Sequence, residues 1–131
     1  MKQKPWICMK VKLAIVGSRG FQDYDALSEF IDKTIKENGY EIIEVISGGA
    51  KGADSLGELW AKTKGYPITI YQAEWDKYGK SAGFRRNYDI IKNCDIVFAF
   101  WDGESKGTKH DLELAKQFRK PIFLYNYYGK Y

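Results

Sequence analysis

Apolar positions along the chain alternate between two periods. Lys12–Val16, with Val11 just before it, is a short apolar run ended by Gly17-Ser18-Arg19-Gly20. It predicts a first strand and a loop. Leu27, Phe30, Ile31 and Ile35 then recur at helical spacing, behind Asp23 or Asp25 as a cap and ahead of Asn38-Gly39 as a stop. Ile42–Ile46 predicts a second strand, and Leu56, Leu59, Trp60 and Ala61 a second helix closing near Lys64-Gly65. Pro67–Tyr71 predicts a third strand whose leading proline suits a sheet edge. Ala73–Lys80 has no clean period and predicts a loop over the strand ends. Ser81 opens a helix through Phe84, Tyr88 and Ile91 to Asn93, and Ile96–Phe100, the most apolar strand, is expected at the centre of the sheet. Leu112, Leu114, Ala115 and Phe118 mark a further helix, Pro121–Tyr125 a last strand, and Asn126–Tyr131 a loosely packed tail. Strands alternating with helices in this way predict an α/β fold, a mostly parallel sheet of about five strands with helices on both faces.

The 131 residues suit a single domain, 1–131, with its core at about 11–125. No repeat or low-complexity linker divides it. Ten tyrosines and four tryptophans suit a stacking surface or a well-filled core. The net charge of +4 is spread among acids, which makes a nucleic-acid partner unlikely and suits a pocket for phosphorylated small molecules. Cys8 and Cys94 lack metal-type spacing and are expected as reduced, buried thiols. No run approaches the roughly 20 apolar residues of a membrane span, and Met1–Lys10 is too broken by Lys and Pro for a signal peptide. A soluble, cytoplasmic protein with no membrane contact is expected.

In a parallel sheet, ligands bind beyond the carboxyl ends of the strands. Four glycine-rich or polar loops converge there: Gly17–Phe21, Ser47–Asp54, Ala73–Lys80 and Trp101–Thr108. Ser47-Gly48-Gly49 ends a strand and feeds a helix, so it presents bare backbone N–H groups to an anion, as well as serving as a tight turn. Gly17-Ser18-Arg19 adds a guanidinium suited to bidentate phosphate recognition. Ser105-Lys106-Gly107-Thr108 opens a helix whose free N–H groups and Thr hydroxyl form a phosphate seat, unless Thr108 is a plain cap. Of the adjacent Arg85 and Arg86, one can face a site; Arg86 is favoured, with Asn87 able to reach a base or ribose. Asp111 falls one turn into its helix and can face back toward the phosphate seat. His110, the lone histidine, is expected at the surface. A spaced GxGxxG and a Walker P-loop are both missing, which argues against a standard NAD dehydrogenase and against that type of ATP hydrolysis. No cofactor is expected; magnesium can arrive only with a phosphate ligand.

Taken in order, GSRGF, SGGAKGAD, AEWDKYGKSAGFRRN and FWDGESKGT resemble the small YspA/YpsA-related, DUF2493-type branch of the SLOG superfamily, over about Lys12–Tyr125. The resemblance implies a Rossmann-like sheet and a site for a nucleotide or ADP-ribose-like ligand at these loops. The superfamily also contains the LOG phosphoribohydrolases and the DNA-processing protein DprA. The hydrolases resemble this chain in an arginine motif followed by Gly-Gly-x-Gly-Thr-x-x-Glu. Arg86 fits that arginine and Gly107-Thr108 the Gly-Thr, whereas Ser105 replaces the second glycine and Asp111 the catalytic glutamate. The shorter side chain retracts the carboxylate by one methylene. Related proteins assemble, so a homo-oligomer is compatible with the resemblance.

The leading expectation is therefore a sensor or sequestering module for a phosphorylated nucleoside, NAD- or ADP-ribose-related. Ser47, Gly48, Gly49, Gly107 and Thr108 would hold phosphate and Arg19 and Arg86 neutralise it. Asp54 would brace the loop or contact ribose, and Trp75 or Trp101 would stack on a base. Gly17, Ser18, Asn87 and Ser105 complete the expected site. The alternatives are a nucleotide N-glycosidic hydrolase using Asp111 and Arg86, and a nucleic-acid-binding protein of the DprA type.

Overall fold

The computed structural model describes residues 9–127. Five strands, β1 (Met9–Gly17), β2 (Tyr40–Ser47), β3 (Ile68–Ile70), β4 (Ile96–Trp101) and β5 (Ile122–Asn126), form one sheet in the order β3-β2-β1-β4-β5. Every pairing is parallel. The helices are α1 (Tyr24–Asn38), α2 (Ala53–Lys64), α3 (Trp75–Tyr78), α4 (Ala82–Asn93) and α5 (Lys106–Gln117).

Strand alternation sorts the side chains into two cores. Leu13 and Ile15 of β1 and Phe98 and Phe100 of β4 join Leu27 and Ile31 of α1 and Trp60 of α2 on one face. Ala14, Val16, Val97 and Ala99 meet Ile90 and Ile91 of α4 and Leu112 and Ala115 of α5 on the other. The first face is aromatic: Phe30 meets Phe98 and Phe100 edge-on, each at 5.8 Å between centroids. The second uses small sheet residues, which lets α4 and α5 lie close to the strands and brings their N-terminal turns over the sheet edge.

Asp23 proves to be the cap of α1, accepting from the Ala26 N–H at 3.0 Å. β3 lies at the edge, where its leading proline belongs. Three expectations are corrected. β4 is interior, but the central strand is β1, because the chain leaves β1 in both directions across the sheet. The segment expected as a loop holds the short helix α3 and a 3-10 turn, Gly79–Ser81; the aromatic and charged residues that blurred its period lie on a helix only one turn long. The chain after Tyr125 stays in the fold: Asn126 ends β5, and Tyr127 is buried with its ring 5.0 Å from that of Phe21. Cys94 is buried and free, its thiol pushed up to about 12 chiefly by burial. Cys8 and residues 128–131 lie outside the described residues.

Successive crossovers run from β1 outward through β2 to β3, and then the chain returns past β1 to β4. The loops after β1 and β4 therefore diverge to opposite faces and leave a crevice between them.

Candidate functional site

Gly52 builds the first wall of that crevice. Its φ of +78° is strained for any other residue, and an added Cβ would run into the carbonyl oxygens of Ser18 and Arg19. The loop after β2 is thereby pressed against the loop after β1, and the Ala53 N–H donates to the Ser18 carbonyl at 3.3 Å. Asp54 follows in the first turn of α2 and is buried, facing inward.

Arg86 enters from α4. Its Nη1 donates to the Gly48 carbonyl at 2.9 Å and its Nε to Asn87 Oδ1 at 3.0 Å. Gly48 has to be bare for a different reason from Gly52. A Cβ there would lie 2.8 Å from Arg86 Nη1 and 2.8 Å from Asp54 Oδ2. Arg85, one position earlier, turns outward over the Tyr78 ring at 4.2 Å. Only one of the adjacent arginines reaches the crevice.

The third wall is the start of α5. Asp102 Oδ1 accepts from the N–H groups of Glu104 and Ser105 at 2.9 and 2.8 Å, led by Ser105 in holding this carboxyl below its usual range. The first N–H groups of α5, at Lys106–Thr108, have no intrahelical acceptors, and Gly107 and Thr108 line the crevice. Thr108 is buried inside the first turn, its hydroxyl 3.4 Å from that of Ser105, so it is not the cap. Asp111 sits one turn further, buried, and its Oδ1 has no hydrogen-bond partner among the described residues.

Together these walls enclose a cleft of about 410 Å3, lined by Gly17, Ser18, Arg19, Asp54, Arg86, Asn87, Ser105, Gly107, Thr108 and Asp111 among others. Two buried carboxyl groups and the Arg86 guanidinium meet there, with the exposed Arg19 also in the lining. Burial pushes the Asp54 carboxyl up to about 7, against the pull of Arg86 and the Ala50 N–H. Burial, and then the charge of Asp54, push Asp111 well above the carboxylate range, again against Arg86. Both carboxyls are pushed up by burial and pulled down by the same Arg86 guanidinium.

Several residues behave otherwise than the sequence suggests. Ser47 is fully buried and donates to Glu58 at 2.6 Å, outside the cleft lining. Gly49 is exposed beside Ile70. Trp75 is exposed on α3, and Trp101 donates its indole N–H to the Ser105 carbonyl at 3.0 Å; neither lines the cleft. Asn87 is engaged within the protein, its Nδ2 donating to Gly107 O at 3.4 Å and lying 3.2 Å from His110 Nδ1. It pins α4 to α5. His110 is half-buried, which corrects the surface expectation, and burial lowers its pKa, against the charge of Glu113. Because Asn87 offers its amide N–H₂ to Nδ1, the ring proton resides on Nε2. Sequence spacing carries no sign of this contact, nor of the meeting of Asp54 with Asp111. Both depend on how α2, α4 and α5 converge. Among the described residues, no group of three or more His, Cys, Asp or Glu side chains could hold a metal ion, and no helix is long and apolar enough to cross a membrane.

A five-stranded parallel sheet covered by helices, with a polar crevice at the point where strand order reverses, defines a Rossmann-like α/β domain. Residues 11–78 match the model of the YspA, cpYpsA-related SLOG family, and the chain belongs to that family. It is 30% identical over 117 residues to the Gene 61 protein of Mycobacterium phage D29, covering 85% of this chain and 93% of that protein. Among solved structures, DNA processing protein A of Helicobacter pylori, described for its single-stranded DNA binding mode, aligns with a TM-score of 0.65 at 20% identity. That alignment covers 87% of this chain and 64% of the other. The structural-genomics protein TM1055 aligns with a TM-score of 0.60 at 20% identity, over 85% of this chain and 71% of that one. At this identity the two likenesses concern the fold.

Proposed function

We propose that the protein binds a phosphorylated nucleoside, such as an NAD- or ADP-ribose-derived nucleotide, in the cleft at the carboxyl ends of the strands, as a sensor or sequestering module. One observation carries this reading. Arg86, the free N–H groups that open α5, and the unpartnered Oδ1 of Asp111 converge in a single cleft. The volume, about 410 Å3, falls in the range of about 300–1,000 Å3 typical of small-molecule sites. Phosphate would sit on the α5 N–H groups of Gly107 and Thr108 with Arg86 against it, and Arg19 at the rim would add a second cation. Asp54 and Asp111 would face the ribose, where a protonated carboxyl can donate and its carbonyl oxygen accept. Ser47 and Gly49 would support the loop instead of holding phosphate. No resident cofactor is needed, and magnesium would enter only with a polyphosphate.

Native mass spectrometry after incubation with nucleotides, NAD, ADP-ribose, cyclic derivatives and a short DNA strand tests this. A bound, unchanged nucleotide supports the proposal and names the ligand. Binding of the strand alone would favour the activity described for the Helicobacter pylori relative.

A second reading has its own support. A buried carboxyl whose pKa is raised well above the ordinary carboxylate value, as burial does for Asp111, is suited to general-acid work at a ribosyl bond. Release of free base and ribose phosphate in the same incubation, abolished by Asp111→Asn while binding persists, would identify an N-glycosidic hydrolase.

A further inference from the structure

A larger cavity adjoins the cleft. It measures about 640 Å3, is lined by residues of α4 and α5, and shares Arg86 with the cleft. Its lining includes Tyr78, Phe84, Tyr88 and His110, together with the polar groups Gln72 and Arg85. Phe84 meets His110 edge-on at 4.6 Å between centroids, so one ring holds the other in place. Even so, Phe84 and Tyr88 are 55% and 43% exposed. They are large rings held on a rigid helix without being folded into the core.

We propose that this cavity is the nucleobase subsite of the ligand whose phosphate occupies the cleft, with Arg86 at the junction and the base lying against Phe84. The inference rests on the function proposed above and adds where the base goes. Three observations join here. Arg86 is in the lining of both cavities, so a ligand with its anionic end on that guanidinium and its planar end against α4 would reach from one to the other. The exposed face of Phe84 offers a π surface, and stacking on it is tolerant of which base is present. The His110 Nε2–H is left for an acceptor on the base edge, since Asn87 occupies Nδ1. Trp75 and Trp101, the rings expected from sequence for this task, line neither cavity.

Calorimetric titration with AMP and with ribose 5-phosphate, on the wild type and on Phe84→Ala, tests the assignment. Phe84 is half-exposed, so its truncation leaves the fold intact; the circular dichroism melt of the variant checks that directly. AMP is expected to bind the wild type roughly tenfold or more tighter than ribose 5-phosphate, the gain from one stacked base. Phe84→Ala is expected to remove that advantage and leave ribose 5-phosphate binding unchanged. If the variant keeps the wild-type ratio, the subsite is overturned while the phosphate cleft stands. If neither compound binds the wild type, the phosphate reading fails and the subsite fails with it.

Discussion

Asp54 is destabilising where it sits. Its folded-state pKa of about 7 lies above the ordinary value of 3.8, with burial as the leading cause. The stability this group supports is complete below the unfolded value and is lost as pH rises through the folded one. The gap corresponds to about 4 kcal/mol, since each pKa unit is worth about 1.4 kcal/mol. Asp54→Asn keeps an acceptor for the Ala50 N–H and removes the ionisation. It is expected to raise the melting temperature at pH 8 and to leave it nearly unchanged at pH 4; equal effects at both would show that the carboxyl does not titrate in this window. Gly48 bears on stability and function at the same spot. A Cβ there would crowd the buried Asp54 carboxyl and the hydrogen-bonded Arg86, so Gly48→Ala is expected to destabilise the protein by about 1–3 kcal/mol. By displacing Arg86 it is expected to weaken nucleotide binding about tenfold or more, which parallel melting and titration curves would separate.

The elements differ in how legible they are. Strands β1, β2, β4 and β5 and helices α1, α2, α4 and α5 announce themselves because each buries a continuous stripe or run, and hydrophobic period reports burial. α3 buries none of its residues and so has no period to report. The start of α5 as a cleft wall could be read from Gly107-Thr108, but what holds it could not. Asp102 is a surface acid in the sequence and the bracket of the turn in the fold. Asp102→Ala is expected to destabilise the protein by about 1 kcal/mol, the usual worth of such hydrogen bonds. Amide exchange is expected to quicken at residues 104–108, and Asp102→Asn to restore the slower rate. Unchanged exchange in the alanine variant would show that the helix start is held by other contacts.

At the scale of the whole molecule, function follows from topology. Reversal of strand order beside β1 opens the crevice, and helices from both faces deliver one group each: Asp54 from α2, Arg86 from α4, Asp111 from α5. These residues are 32 and 25 positions apart along the chain, so only the strand-end rule for parallel sheets and the family's motif order linked them before the fold did. Arg86 is the sole side chain common to both cavities that bears a fixed charge. Its removal takes away the charge that lowers both carboxyl pKa values, so both move further up, and a melting curve of Arg86→Ala checks that the variant is folded. The most direct measurement is therefore a calorimetric titration of ADP-ribose and AMP into the wild type and into Arg86→Ala at pH 7. The account predicts saturable binding of one nucleotide per chain, weakened at least about tenfold in the variant, as expected for loss of a charged hydrogen-bond partner. Equal affinities in the two proteins, or no binding of either nucleotide to the wild type, would contradict it.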